Sequence, residues 1–207
     1  MTSLILFCSA IAYLLGSINT SIIVSKIMGK SDIRSSGSGN AGVTNTLRVM
    51  GKAAALIVVI GDVLKGVLAV LMAKYTYTYF GIDGNEMLAQ YFAALFVILG
   101  HIYPLYFGFK GGKGIMTGVS TIFVLDWEIA VILLLVFVAI FAITRYVSLG
   151  SCISSVMYPV LVYMFHSDEI YFIALAAIVA ALALYKHRAN IQRLIQGTES
   201  KTYFNKR

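Results

Sequence analysis

Residues 53–73 read AAALIVVIGDVLKGVLAVLMA, twenty-one positions interrupted only by Asp62, Lys65 and two glycines. As a helix this run reaches about 31 Å at 1.5 Å per residue, the thickness of a bilayer's hydrocarbon core. It has company: further apolar runs fall at 4–24, 87–107, 115–125, 129–144, 150–166 and 170–185. The chain of 207 residues is 59% hydrophobic and 12% charged, with a mean hydropathy of +0.87. A soluble domain of this size cannot hide so much apolar side chain, so the bilayer is its solvent. Asp62 and Lys65 lie three apart on the quoted run and are costly to bury unpaired. They are expected to form an ion pair facing the bundle.

Net charge is +7, which in a soluble protein points to nucleic acid. In a membrane protein the distribution matters first, and no nucleic-acid partner is expected here. Lys26, Lys30, Arg34, Arg48 and Lys52 fall in one inter-run segment, Lys110 and Lys113 in the next but one, and Arg145 in a third. Six more basic residues follow from Lys186 to Arg207. These four segments hold 14 of the 16 basic residues and only two acids, Asp32 and Glu199. The alternate segments hold Lys74 and six acids: Asp83, Glu86, Asp126, Glu128, Asp168 and Glu169. The positive-inside rule then places the N-terminus outside and all four basic segments in the cytoplasm.

The expected fold is an all-α integral membrane protein, a bundle of about seven transmembrane helices with a cytoplasmic C-terminus. Residues 1–207 are read as one domain, without internal repeats. The run 115–125 is the weak point, since eleven helical residues reach only about 17 Å. To span the bilayer fully it starts earlier, in the glycines; otherwise it forms a non-crossing hairpin with 129–144, which leaves five crossings. Seven is preferred because Asp126 and Glu128 fit an outer turn. The first run lacks a basic preceding region and a clear small-residue cleavage site, so it reads as a retained helix. Cys8 and Cys152 lie in different runs without metal-type spacing and read as packing residues. Tyr75, Tyr77, Tyr79 and Trp127 sit near proposed outer boundaries, where aromatic rings favour the interface.

Chemistry concentrates in the basic segments. The first contains SSGSGNAGVTNTLR, from Ser35 to Arg48. Gly37, Gly39 and Gly42 match G-x-G-x-x-G, but no βαβ unit fits between two membrane helices. What survives is a loop whose glycines turn backbone N–H groups toward an anion, followed by a helix start. Ser38, Asn40, Thr44 and Asn45 add donors, with Arg48 beyond them. The second segment is GHIYPLYFGFKGGKG, from Gly100 to Gly114. It fails the nucleotide P-loop pattern at Phe107 and Gly114, so ATP is not supported. Lys110 and Lys113 among Gly108, Gly111, Gly112 and Gly114 still form a cationic, backbone-exposing loop. His101 and Pro104 read as shaping a helix end. The third segment, RYVSLGS (145–151), puts Ser148 and Ser151 on one helical face. The fourth, HRANIQRLIQGTES (187–200), does the same for His187 and Asn190. Together these pieces can bind one or two phosphates at the membrane surface. A small anion transporter has similar intramembrane charges and glycine breaks, but the short, acidic outer segments disfavour anion capture there.

These four motifs, with GSI at 16–18 and DVLKG at 62–66, resemble the bacterial acyl-phosphate:glycerol-3-phosphate acyltransferases, the PlsY family. The resemblance covers nearly the whole chain. Val43 stands where the family usually has alanine, and Ile115-Met116 where it usually has Val-Ala. It implies a multi-pass enzyme of the bacterial cytoplasmic (inner) membrane, with its active site facing the cytoplasm. The implied reaction moves an acyl group from acyl phosphate to the 1-hydroxyl of glycerol 3-phosphate. Lysophosphatidic acid and phosphate are the products, in the first step of phospholipid biosynthesis, with membrane lipid as surroundings. The family's site residues carry over to Ser38, Arg48, Lys113, Ser151, His187 and Asn190, and Asn45 and Ser148 are added to them. Arg48, Lys113 and His187 are the catalytic candidates; Gly37, Gly39, Gly111 and Gly112 complete the substrate-binding set. Arg48 and Lys113 suit two dianions and a carbonyl oxyanion, while Ser151, His187 and Asn190 suit the orientation of glycerol 3-phosphate. The hydroxyl proton has two candidate acceptors, His187 and a substrate phosphate with a second pKa of about 6. No metal-ligand cluster is apparent, and no cofactor is expected. The His-x4-Asp signature of other glycerol-phosphate acyltransferases is absent: Tyr106, Tyr171 and Gln192 follow the three histidines at that spacing.

Overall fold

The computed structural model describes residues 2–80 and 85–203, and every regular element among them is helical. Asp83, Lys206 and Arg207, counted above for their charge, lie outside the described residues. The chain divides into two compact units, Met1–Leu125 and Asp126–Arg207.

The first unit contains α1 (Thr2–Ser17), α2 (Thr20–Ile27), α3 (Val43–Met50), α4 (Lys52–Phe80), α5 (Glu86–Ile102) and α6 (Ile115–Leu125). The apolar run 4–24 is therefore not one continuous helix. It breaks at Ile18 and Asn19, where Asn19 Oδ1 accepts the Ile22 N–H at 3.2 Å and caps α2. On the other side of the break, Lys65 Nζ donates to the Ile18 carbonyl at 3.1 Å. An unpaired backbone carbonyl at this depth costs several kcal/mol, on the order of 2–7, so the break needs this partner.

Helix α1 packs on α5 through small residues. A Cβ at Gly16 would sit 2.9 Å from Val97 Cα, and one at Gly100 would sit 2.8 Å from the Ser17 nitrogen. Bare glycines let the two backbones touch, which is how helices associate when lipid is as apolar as leucine. Tyr13 Oη then donates to the Tyr103 carbonyl at 2.8 Å, and Ser17 Oγ accepts the Leu105 N–H at 3.1 Å. Helix α1 thus holds the start of the lysine-bearing loop. On α4 the expected Asp62–Lys65 ion pair is present at 2.8 Å, with both residues buried.

Helix α6 has eleven residues, as its apolar run predicts. Among the described residues, six other helical segments are long and apolar enough to cross a membrane, with α1 and α2 taken together. Tyr75, Tyr79 and Trp127 are exposed, as interfacial rings should be. Tyr77 differs: it lies on the face of α4 that carries Val70 and Ala73, and it is buried.

The second unit contains α7 (Trp127–Thr144), α8 (Val147–Phe165) and α9 (Ile170–Ile195). Helices α7 and α8 approach closely at Gly150, where a Cβ would stand 2.8 Å from Phe137. Asp126 and His166 pair at 2.7 Å at one end of the unit. Helix α9 continues ten residues past the apolar run that ends at 185. That extension carries His187 and Asn190. Cys8 and Cys152 are both buried, one in each unit.

Candidate functional site

The first glycine loop is built around Asn45. Its Oδ1 accepts the Ser38 N–H at 2.9 Å, and its Nδ2 donates to the carbonyls of Ile33 (3.1 Å) and Ser36 (2.9 Å). Asn45 is buried, and its amide is engaged by the loop's own backbone. The structure therefore places it beneath the cradle, as its scaffold. Gly37, with φ of +60°, has Asn45 and Val49 where a side chain would go, so only glycine fits there. Gly39 also takes the left-handed conformation. Ser38 is left exposed at the rim. Arg48 is exposed too, in the last turn of α3 rather than at its positive end.

The second loop is fixed by its backbone. Gly111 and Gly112 donate to the carbonyls of Ile102 and His101, each at 3.1 Å. Lys113 follows, half-buried. Arg34 fastens this loop to the first. Its Nη1 donates to the carbonyls of Phe107 (2.8 Å) and Lys110 (3.0 Å), while Nε and Nη2 grip the Asp32 carboxylate. The Arg34 hydrogen bond holds the Asp32 carboxyl below its usual range, and Asp32 in turn raises Arg34. An open groove of about 670 Å³ lies between the loops, lined in part by Arg34, Gly39, Phe107, Lys110 and Gly111. The first unit thus carries Gly37, Ser38, Gly39, Gly111, Gly112 and Lys113 on two interlocked loops, with Asn45 and Arg48 on α3.

The second unit carries Ser148, Ser151, His187 and Asn190, and two of them, Ser148 and Asn190, meet on a residue outside the candidate set, Glu199. Its carboxylate accepts from Ser148 Oγ at 2.7 Å, Asn190 Nδ2 at 2.6 Å and Arg193 Nε at 2.7 Å. Burial raises the Glu199 carboxyl, but hydrogen bonds from Asn190, Ser148 and Arg193 outweigh it and hold the group below its usual range. Ser151 Oγ donates to the Val147 carbonyl at 2.9 Å, the usual habit of a helical serine. His187 is buried, with Nδ1 2.8 Å from the Ala183 carbonyl. A carbonyl only accepts, so Nδ1 donates in this pair. A signal for Glu199, as for Asp32 in the first unit, lies in the charge pattern. Asp32 and Glu199 are the only acids in the basic segments, and each is paired with an arginine.

Among the described residues, no three of His, Cys, Asp and Glu come together as a metal-holding group. The model of the glycerol-3-phosphate acyltransferase family matches residues 6–197. The chain belongs to that family. The acyltransferase is 44% identical over 193 residues to the glycerol-3-phosphate acyltransferase of Clostridioides difficile (strain 630), covering 93% of each chain. With the same-named protein of Thermoanaerobacter pseudethanolicus it shares 45% over 192 residues, 92% of each. Its fold is that of PlsY (YgiH), an integral membrane glycerol 3-phosphate acyltransferase crystallised in a glycerol 3-phosphate form. The two share 37% identity and a TM-score of 0.86, across 96% of each chain. The lysophosphatidic acid form of PlsY gives a TM-score of 0.83 at 36% identity, over 97% of this chain and 96% of that one. The acyltransferase is therefore a multi-span integral membrane enzyme of phospholipid biosynthesis.

Proposed function

We propose that this acyltransferase takes its acyl group from acyl phosphate and delivers it to the 1-hydroxyl of glycerol 3-phosphate. The products are lysophosphatidic acid and inorganic phosphate. The observation that carries this reading is the pair of interlocked glycine loops, one bearing Arg48 and the other Lys113, fastened by Arg34. Both proposed substrates carry phosphate, and each loop brings one cation, while the N–H groups of Ser38, Gly39, Gly111 and Gly112 are spent on the loops' own fastening. An acyl phosphate presents its dianion beside the reacting carbonyl. Arg48 and Lys113 then hold the dianions and stabilise the departing phosphate and the carbonyl oxyanion. Gly37, Ser38, Gly39, Gly111 and Gly112 line the cradles. Ser148, Ser151, His187 and Asn190 orient glycerol 3-phosphate, and a substrate phosphate, with a second pKa of about 6, takes the proton of its hydroxyl.

A thioester donor leaves the donor cradle empty, and its large carrier needs a docking domain that these short segments do not supply. Purified enzyme with glycerol 3-phosphate is expected to form lysophosphatidic acid from palmitoyl phosphate. Palmitoyl coenzyme A and palmitoyl acyl carrier protein should give none above background. Inorganic phosphate, a product and a dianion, should compete with the acyl donor. Comparable turnover on either thioester overturns the donor assignment.

The charge asymmetry supports a site on the cytoplasmic side of a bacterial inner membrane. In intact cells, single Lys110→Cys and Thr198→Cys variants should resist a membrane-impermeant thiol reagent until the inner face is opened. Asn85→Cys should react at once. Labelling of Lys110→Cys from outside reverses the orientation.

A further inference from the structure

The charged residues inside the membrane have no part in that mechanism, yet they converge on its loops. Lys65 Nζ lies 2.8 Å from Asp62 Oδ1, 2.9 Å from His101 Nδ1 and 3.1 Å from the Ile18 carbonyl. His101 Nδ1 also lies 3.5 Å from Asp62 Oδ1, so the imidazole edge meets both members of the ion pair. Thr20 Oγ1, 3.4 Å from Asp62 Oδ1, and Thr117 Oγ1, 3.4 Å from His101 Nδ1, close the group. Asp62, Lys65 and His101 are all at least nine-tenths buried.

The other edge of the imidazole faces the second loop. A Cβ built on Gly112 would overlap both His101 Nε2 and the Ala41 carbonyl oxygen. The ring, the lysine-bearing loop and the chain of the first loop thus meet at a single point. The His101 carbonyl also accepts the Gly112 N–H at 3.1 Å. Gly112 directly precedes Lys113. Ala41 directly precedes Gly42, the N-cap of the helix that carries Arg48.

We propose that Asp62, Lys65 and His101 are positioning residues for acyl transfer. The buried ion pair holds the His101 ring in place, and the ring seats the Gly111–Gly114 loop against the Ala41–Gly42 segment. Lys113, which directly follows Gly112, is thereby held in one geometry. This rests on the role given above to Lys113. The plainer alternative is that the ion pair only neutralises itself and caps the break at Ile18, in which case the chemistry is indifferent to His101.

The test uses the purified full-length enzyme with palmitoyl phosphate and glycerol 3-phosphate, and turnover is normalised to folded protein by thermal unfolding. His101→Phe keeps the ring's volume and removes both nitrogens. It should lower kcat by about 100-fold, the scale of a misplacement near 1 Å, with a much smaller change in KM. Because His101 acts through Lys113, the His101→Phe/Lys113→Ala double variant should lose no more than about twofold beyond Lys113→Ala alone. Asp62→Asn/Lys65→Met avoids leaving a lone buried charge and should reproduce the kcat loss while remaining folded. Normal kcat in folded His101→Phe, or in the Asp62→Asn/Lys65→Met enzyme, overturns the proposal. So does a double variant whose loss is the product of the two single losses. Full turnover of Lys113→Ala instead marks failure of the site reading itself, and this proposal falls with it.

Discussion

Lys113→Ala and Arg48→Ala are each expected to lower turnover by about 100–1,000-fold while the protein still folds, the loss typical of removing one preorganised donor from a developing oxyanion. Folding should survive because other groups fasten each cradle. The Lys113 loop is held by backbone bonds from Gly111 and Gly112 and by Arg34. The Ser38 loop is held by Asn45, and Arg48 is exposed. Arg48→Lys should recover only part of the activity, because a guanidinium meets phosphate with a planar fork and an ammonium with a point charge. The measurement is lysophosphatidic acid formed per folded enzyme, with thermal unfolding run in parallel. Near-normal activity in both alanine variants refutes the two-cradle mechanism. The contrast with Asn45 is informative. Asn45→Ala strips three hydrogen bonds from beneath the first loop, so its loss of activity should come with a lower unfolding midpoint.

The contrast shows what a linear reading can and cannot see. Hydropathy located the apolar segments well, because burying about 20 side chains in lipid demands a long apolar run wherever it occurs. The eleven-residue α6 and the Asp62–Lys65 pair were legible for similar reasons: one is a length, the other a helical spacing. The break at Ile18 was not, because Lys65 satisfies it from 47 positions away. His101 likewise joins the buried pair from another helix, and nothing in GHIYP announces it. Asn45 was grouped with the donors because its side chain suits an anion. Only the fold reveals that Ile33, Ser36 and Ser38 already occupy it. Motif residues mark where chemistry is dense. They do not separate groups that meet substrate from groups that hold those groups in place.

Glu199 belongs to the second kind, and its removal is the other large effect to expect. Its carboxylate ties the start of α8, through Ser148, to the far end of α9, through Asn190 and Arg193. Glu199→Ala deprives all three of their acceptor. Charge-assisted hydrogen bonds are individually worth about 1.5–3 kcal/mol, and Arg193 is partly solvated, so a net loss near 2 kcal/mol is expected. Turnover should fall about 10–100-fold as Ser148 and Asn190 lose their alignment. Glu199→Gln keeps one acceptor oxygen and should fall between Glu199→Ala and the parent protein. The lowered carboxyl adds a dependence on pH with a definite sign. A group whose folded pKa lies below its unfolded value contributes fully above the unfolded value, about 4.3 for glutamate, and loses that contribution as pH falls through the folded value. The parent protein's unfolding midpoint should therefore drop on acidification below about pH 4.5, and Glu199→Gln should drop less. Asp32, lowered by Arg34, contributes with the same sign in both proteins, so the difference between the two curves isolates Glu199. Parallel curves, or full turnover in Glu199→Ala, would mean that the carboxylate holds nothing the enzyme needs.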